Sequence, residues 1–365
     1  MTASPVKRTT DAPLLVRAAR REPVDRTPVW LMRQAGRILP EYRALRERWS
    51  LLQISQQPDL AVQVTLQPLA RMPLDAAILF ADIMTPLHGA GVALDIVEGV
   101  GPVIESPIRD ASGVRAVRAL EPASDVPYVL EAIRTLRRAL DSAVALIGFA
   151  GAPFTLASYL IEGRPTRTFT KTKTMMYAVP ALWHELMGRL ASLTITYLEA
   201  QIAAGADVVQ LFDSWIGTLT PLDYEQYVAP HTRRIFAALQ EASGTPVIHF
   251  GVGTATLLDI MRCDGASVIG LDWRVPLDEG WARIGHDLAV QGNLDPAVLF
   301  APHAVIEERA VDVLARADGR PGHIFNLGHG VLPGTPLDAA MHLVHVVRER
   351  SVAYHASANV PLSLS

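Results

Sequence analysis

The sequence predicts an α/β protein: a single (β/α)8 barrel of the TIM type, with its active site at the C-terminal ends of the strands. Three observations predict it. Short apolar runs recur along the chain, helically patterned segments separate them, and polar or glycine residues follow almost every run. Strands alternating with helices imply a parallel sheet. Eight such units favour closure into a barrel. The doubly wound open sheet is the alternative that periodicity alone leaves standing.

The first run, PVWLM (28–32), ends in Arg33, Gln34 and Arg37. The second, AAILF (76–80), leads to Asp82, and the third, ALIGF (145–149), to Gly151. DVVQLF (207–212) leads to Asp213 and Ser214, and PVIHF (246–250) carries His249 and reaches Gly251. SVIGL (267–271) precedes Asp272, and LAVQG (288–292) precedes Asn293 and Asp295. HIFNL (323–327) carries Asn326 and runs into Gly328, His329 and Gly330. Between the strands, stretches such as 182–205 repeat apolar residues at helical spacing, with Gly205 where a stop belongs. In a barrel all these strand ends share one face, where the βα loops build active sites. Loops meet water, so polar strand ends are ordinary one at a time. That explains poorly why glycines and ionisable groups recur together.

The bulk properties narrow the class. The chain has 365 residues, of which 50% are hydrophobic, enough for a large core. Charged residues are 19% and the formal net charge is −4, without the basic excess of a nucleic-acid binder. A polyanion could bind only through a local basic cluster. Cys263 is the one cysteine, which excludes an intrachain disulfide and any multi-thiolate site and fits a reducing compartment. The longest apolar stretch (143–157) contains two glycines and a proline and falls short of the roughly 20 residues a membrane span needs. The N-terminus has no signal-peptide core. These points predict a soluble cytoplasmic protein with no membrane partner. Residues 1–12 and 352–365 read as flexible ends around a catalytic barrel over 13–351.

Five stretches carry candidate chemistry. In WLMRQAGRILPEYR (30–43), a helical turn after Met32 would put Arg33 and Arg37 on one face. Two guanidinium forks could then clamp neighbouring carboxylates, with Gly36 letting a ligand approach. The plain alternative is a solvated basic turn paired with Glu41 or Glu47. Asp82 follows a run that reads as fully buried, so its carboxylate is either paired in a structural role or placed to stabilise positive charge in a transition state. GFAGAPFTLASYLIEG (148–163) reads as strand, glycine turn and a helix opening near Pro153, whose N-terminus offers N–H groups to an anion. Tyr159 and Glu162 follow on that helix. Ser214, in LFDSWIG, lacks the glycine frame of a nucleophile elbow and suits a hydrogen-bond donor. His329 lies between glycines, so its ring is open to close approach.

Three of these stretches together resemble the uroporphyrinogen decarboxylase family. PVWLMRQAGRILPEYR resembles that family's first signature and GFAGAPFTLASYLIEG its second. LDAAILFADIMTP, LFDSWIG and FNLGHGVLPGTP match further family segments. The resemblance runs from about residue 12 to about residue 350. It implies a (β/α)8 barrel, a cytoplasmic homodimer, and a step of haem and tetrapyrrole synthesis. In that step uroporphyrinogen III loses four acetate carboxyls as carbon dioxide, giving coproporphyrinogen III, with no metal and no organic cofactor. Arg33 and Arg37 match the family's carboxylate-binding arginines, within a run Arg33-Gln34-Ala35-Gly36-Arg37 that lines its cleft. Arg46 falls at a further matching position. Asp82 matches the central aspartate that gathers the pyrrole N–H groups, and Tyr159, Ser214 and His329 match the remaining substrate contacts. The resemblance leaves Arg37, Tyr159, His329 and water as sources of the transferred protons. Ile38 stands where relatives often carry an aromatic residue, and Asp213 where some carry Glu.

Three rivals are weaker. A zinc-dependent corrinoid-linked methyltransferase of similar fold needs a His-x-Cys pair, and here the fifth run reads His249-Phe250-Gly251. A non-catalytic tetrapyrrole binder would be expected to lose Asp82 or the arginines. A sugar-phosphate enzyme should show a glycine-rich phosphate loop, and 292–296 and 326–330 are too thin for one.

Overall fold

The computed structural model describes residues 12–36 and 38–358. In chain order its strands are β1 (Ala76–Ile78), β2 (Leu94–Val97), β3 (Gly101–Ile104), β4 (Ala145–Gly151), β5 (Val208–Asp213), β6 (Val247–Gly251), β7 (Val268–Gly270), β8 (Ala289–Gln291) and β9 (His323–Ile324). A curled parallel sheet runs β1-β4-β5-β6-β7-β8-β9, while β2 and β3 form a separate antiparallel hairpin. Every residue of β1, β4, β6, β7, β8 and β9 is buried. A parallel sheet covered on both faces reads as unbroken apolar runs, which is why seven of the eight expected strands were visible as such.

The remaining expected strand differs. Residues 28–32 make a single parallel bridge, Val29 to Phe325. Their backbone nonetheless meets both sides of the sheet. The Phe325 N–H donates to the Pro28 carbonyl at 2.9 Å, and the Asp75 N–H donates to the Val29 carbonyl at 3.0 Å. Asp75 explains the missing ladder, because its carboxylate accepts the Val29 N–H at 2.8 Å. That carboxylate is buried and held by Arg26 at 2.8 and 2.5 Å and by Arg348 at 3.1 Å. A polar chain runs through the sheet's concave side. Trp30 Nε1 donates to Gln291 at 3.0 Å, Gln291 to Gln210 at 3.1 Å, and Gln210 to Met32 Sδ at 3.5 Å.

Local signals set the helix ends. The helix Pro180–Ala204 stops at Gly205 (φ 121°) and Pro153–Glu162 stops at Gly163 (φ 88°), both positive-φ positions suited to glycine. Proline occupies the first turn of each. The last helix runs Leu337–Ala358, so the expected flexible tail from 352 begins inside a helix. The rest of that tail, and residues 1–11 of the expected N-terminal segment, lie outside the described residues. No described helix is long and apolar enough to cross a membrane.

Candidate active site

The C-terminal strand ends open on a cavity of about 430 Å³. Its inner wall is aromatic. Phe149 of β4, Phe212 of β5 and Phe250 of β6 alternate inward, with ring centroids 5.5 Å apart for the first pair and 6.1 Å for the second. The β2–β3 hairpin covers one side through Ile96, Val100, Gly101 and Pro102. Of the expected site residues, Arg33, Ala35, Gly36, Asp82, Tyr159, Ser214 and His329 line this one cavity.

Asp82 lies just beyond β1. Its Oδ1 accepts the Met84 N–H at 2.9 Å, an Asx turn that opens the helix Thr85–Gly89. The residue is mostly buried, and it lines the cavity. Burial raises its pKa above the ordinary carboxylate range, while the Met84 N–H and the Arg33 charge work the other way. The carboxylate therefore sits in a low-dielectric setting with the Arg33 charge acting on it.

Tyr159 faces the cavity from the helix Pro153–Glu162. Burial, and then the Asp82 charge, push its pKa up to about 12, against smaller opposing effects of the Trp215 side chain and Arg33. It is a neutral phenol at any physiological pH, a hydrogen-bonding group beside Asp82.

Arg33 is held by an uncommon backbone. Its φ is 63°, a left-handed conformation that turns the chain out of the buried segment 28–32. Asn326 accepts the Met32 N–H at 3.0 Å and fixes that corner. A Cβ on Gly330 would lie 2.5 Å from Arg33 Cδ and 2.7 Å from Cγ. The glycines around His329 thus have a different purpose from the expected one. Gly330 makes room for the Arg33 stem, and Gly328 for the backbone at Trp273, whose N would be 2.2 Å from an added Cβ. His329 stands edge-on to Trp273 at 6.1 Å, and its Nδ1 is 3.4 Å from the Gly330 carbonyl.

Other expected positions are elsewhere. Gln34 is fully buried: its Oε1 accepts the Leu31 N–H at 3.0 Å and its Nε2 donates to the Ala76 carbonyl at 2.9 Å, so its amide ties the turn to β1 and does not line the cavity. Arg46 is outside the lining as well, bonded to the Trp49 carbonyl at 3.1 Å and to Glu98 of the hairpin turn at 3.4 Å. Arg37 lies outside the described residues. Glu41, a possible partner of the arginine turn, pairs instead with Arg71. The first turn of Pro153–Glu162 is buried and makes no anion site on the cavity. His249 is buried on the outer side of β6, and Cys263 is exposed on the loop before β7, at the opposite end of the sheet from the cavity. Among the described residues no group of three His, Cys, Asp or Glu is arranged to hold a metal ion.

The sequence reading missed the aromatic wall, Trp215 and the hairpin. The hairpin had a signal: LDIV and GPVI flank a glycine-containing turn. The wall residues look like any buried strand residue until the sheet curls.

A curled parallel sheet with an acid and an arginine at its C-terminal edge defines an α/β enzyme that handles an anionic ligand. Residues 10–350 match the family model described as Uroporphyrinogen decarboxylase (URO-D). The chain is 53% identical over 336 residues to the uroporphyrinogen decarboxylase of Carboxydothermus hydrogenoformans, covering 92% of this chain and 96% of that one. It is 56% identical over 336 residues to that of Thermobifida fusca, covering 92% of each. Among solved structures it resembles a methyltransferase from Methanosarcina mazei, with a TM-score of 0.78 at 20% identity over 92% of this chain and 97% of that one, a likeness of fold alone. The chain belongs to the uroporphyrinogen decarboxylase family.

Proposed function

We propose that this chain decarboxylates uroporphyrinogen III to coproporphyrinogen III, removing four acetate carboxyls without a metal or organic cofactor. The observation that carries the reading is that a desolvated Asp82 carboxylate and Arg33 line the same aromatic-walled cavity. The substrate carries eight carboxylates around four pyrrole N–H groups. Asp82 takes the N–H groups, Arg33 and Arg37 take carboxylates, and Ser214, Tyr159 and His329 complete the contacts. Aromatic walls suit the faces of a large apolar ring.

The reaction follows from charge. Protonating a pyrrole carbon makes the ring a cation that can accept the electron pair left as carbon dioxide departs. An ionised Asp82 beside the ring nitrogens stabilises that cation, more strongly because little water reaches it. The resulting methylene is then protonated to a methyl group and the proton added to the ring carbon departs, restoring the pyrrole, so that one net proton is taken up for each carbon dioxide lost. Tyr159, with its pKa raised, serves as a hydrogen-bond donor that holds a carboxylate rather than as the acid.

The fold reading completes this. We read 28–32 as the eighth stave of a (β/α)8 barrel over 13–351, supported by its backbone contacts to Phe325 and Asp75 and by Trp30 and Met32 joining the interior polar chain. The chain is further read as a cytoplasmic homodimer. The test incubates purified protein with uroporphyrinogen III anaerobically, with chelator and no added cofactor, and resolves the oxidised porphyrins by carboxyl number. A ladder of seven, six, five and four carboxyls is expected from the stepwise loss described above. An unchanged octa-acid from folded protein overturns the proposal.

A further inference from the structure

We infer that Thr155 and Asp213 are positioning residues that fix Ser214 and Trp215 against Tyr159, an inference that rests on the site reading above. Both side chains are fully buried, and neither lines the cavity. Thr155 Oγ1 donates to Asp213 Oδ1 at 2.9 Å. A carboxylate can only accept, so the single hydroxyl hydrogen is committed to it. The oxygen's lone pairs are then available, and the Trp215 N–H donates to that same oxygen at 3.4 Å. One hydroxyl thus joins the last residue of β5 to the backbone two residues further on, across Ser214.

The helix makes this a constraint on the site. Thr155 and Tyr159 are four residues apart on Pro153–Glu162 and share a face. Trp215 spans both: its backbone is bound to Thr155, and its ring packs against Tyr159 at 6.0 Å and 63°. Phe169 backs the indole at 5.4 Å. The Ala152 N–H adds a third tie, donating to the Phe212 carbonyl at 2.8 Å. Helix and strand end are therefore pinned on a polar and an aromatic contact, and the two cavity groups Ser214 and Tyr159 inherit one relative position.

The test compares Thr155→Val, which keeps the shape and removes the hydroxyl, with Thr155→Ser, which keeps the hydroxyl. Each is made in the wild-type and in the Tyr159→Phe background. Displacing reacting groups by about 1 Å can cost on the order of a hundredfold, so Thr155→Val is expected to lower kcat/KM roughly ten- to a hundredfold. Thr155→Ser is expected to restore most of it. In the Tyr159→Phe background the same change should cost at least about threefold less than in the wild type, because one of the two cavity groups held in register has already lost its hydroxyl. Full additivity would make Thr155 merely structural and overturn the inference. If Thr155→Val does not fold, Asp213→Asn takes its place, since its amide can donate to Thr155 and compete with the Trp215 N–H; unchanged kcat/KM there also overturns it. Hydrogen exchange gives a readout independent of turnover. The peptide over 212–219 should exchange faster in Thr155→Val while that over 247–251 does not. Failure of wild-type protein to decarboxylate would sink the proposed function, and unchanged exchange at 212–219 would separately sink this one.

Discussion

Replacing Asp82 by Asn separates function from folding at one atom. The two side chains are nearly isosteric. The Asn oxygen can still accept the Met84 N–H that Asp82 takes at 2.9 Å, so the turn into the helix Thr85–Gly89 is kept. What is lost is the charge. Weakening one hydrogen bond from charged to neutral costs about 1 kcal/mol. The opposing contribution comes from burial, which raises the Asp82 pKa. The folded chain then holds that proton more tightly than the unfolded chain. This contribution favours the fold below the ordinary carboxylate pKa and is lost as pH rises through the raised value. Above the ordinary carboxylate pKa, Asp82 is therefore a burden on the fold that offsets the hydrogen bond it makes, and Asp82→Asn should shift Tm by no more than about 3 °C, in either direction. Activity should fall far more. Removing one pre-set electrostatic group costs about 10²–10³ in kcat, roughly 3–4 kcal/mol of transition-state stabilisation. The assay is turnover of uroporphyrinogen III by porphyrin chromatography, with a thermal melt on the same preparation. A kcat within about threefold of wild type would refute the role given to Asp82.

Further outcomes follow from the same contacts. Because the ionised form of Asp82 is the active one and its pKa is raised, kcat/KM should decline on the acid side at a pH above the usual carboxylate range; a profile flat down to ordinary carboxylate pKa values would contradict this. Gly330→Ala puts a Cβ 2.5 Å from Arg33 Cδ, so it should raise KM about tenfold with little change in kcat, as steady-state kinetics would reveal. Asp75→Ala leaves the half-buried Arg26 and Arg348 without their shared carboxylate and the buried Val29 N–H without its acceptor. It should destabilise the fold by about 2–3 kcal/mol in urea titration, mostly from the unsatisfied buried N–H; a loss below about 1 kcal/mol would return Asp75 to a peripheral role.

The β/α rhythm was legible because strands buried on both faces must be apolar throughout, and seven of the runs read from sequence form the sheet. Asp82 and Arg33 stood out as candidates because ionisable groups at the ends of buried strands are rare without a reason. The segment 28–32 was less so: its composition is strand-like, yet the Asp75 carboxylate takes the N–H a ladder would use. Periodicity carries no information about a competitor 46 residues away in the chain.

What the sequence determined by itself was the alternation of elements and the helix stop at Gly205, both properties of local patterning, and, through the family resemblance, the candidate positions Arg33, Asp82, Tyr159, Ser214 and His329. Tertiary structure decided which of those groups share a cavity and which face away. Gln34 and Arg46 look as apt as Arg33 on paper, but their partners are a β1 carbonyl and a hairpin glutamate, supplied by distant segments. It also decided the pKa of Asp82, since that depends on how much water and how much charge the folded chain leaves around the carboxylate, and neither exists before the sheet curls.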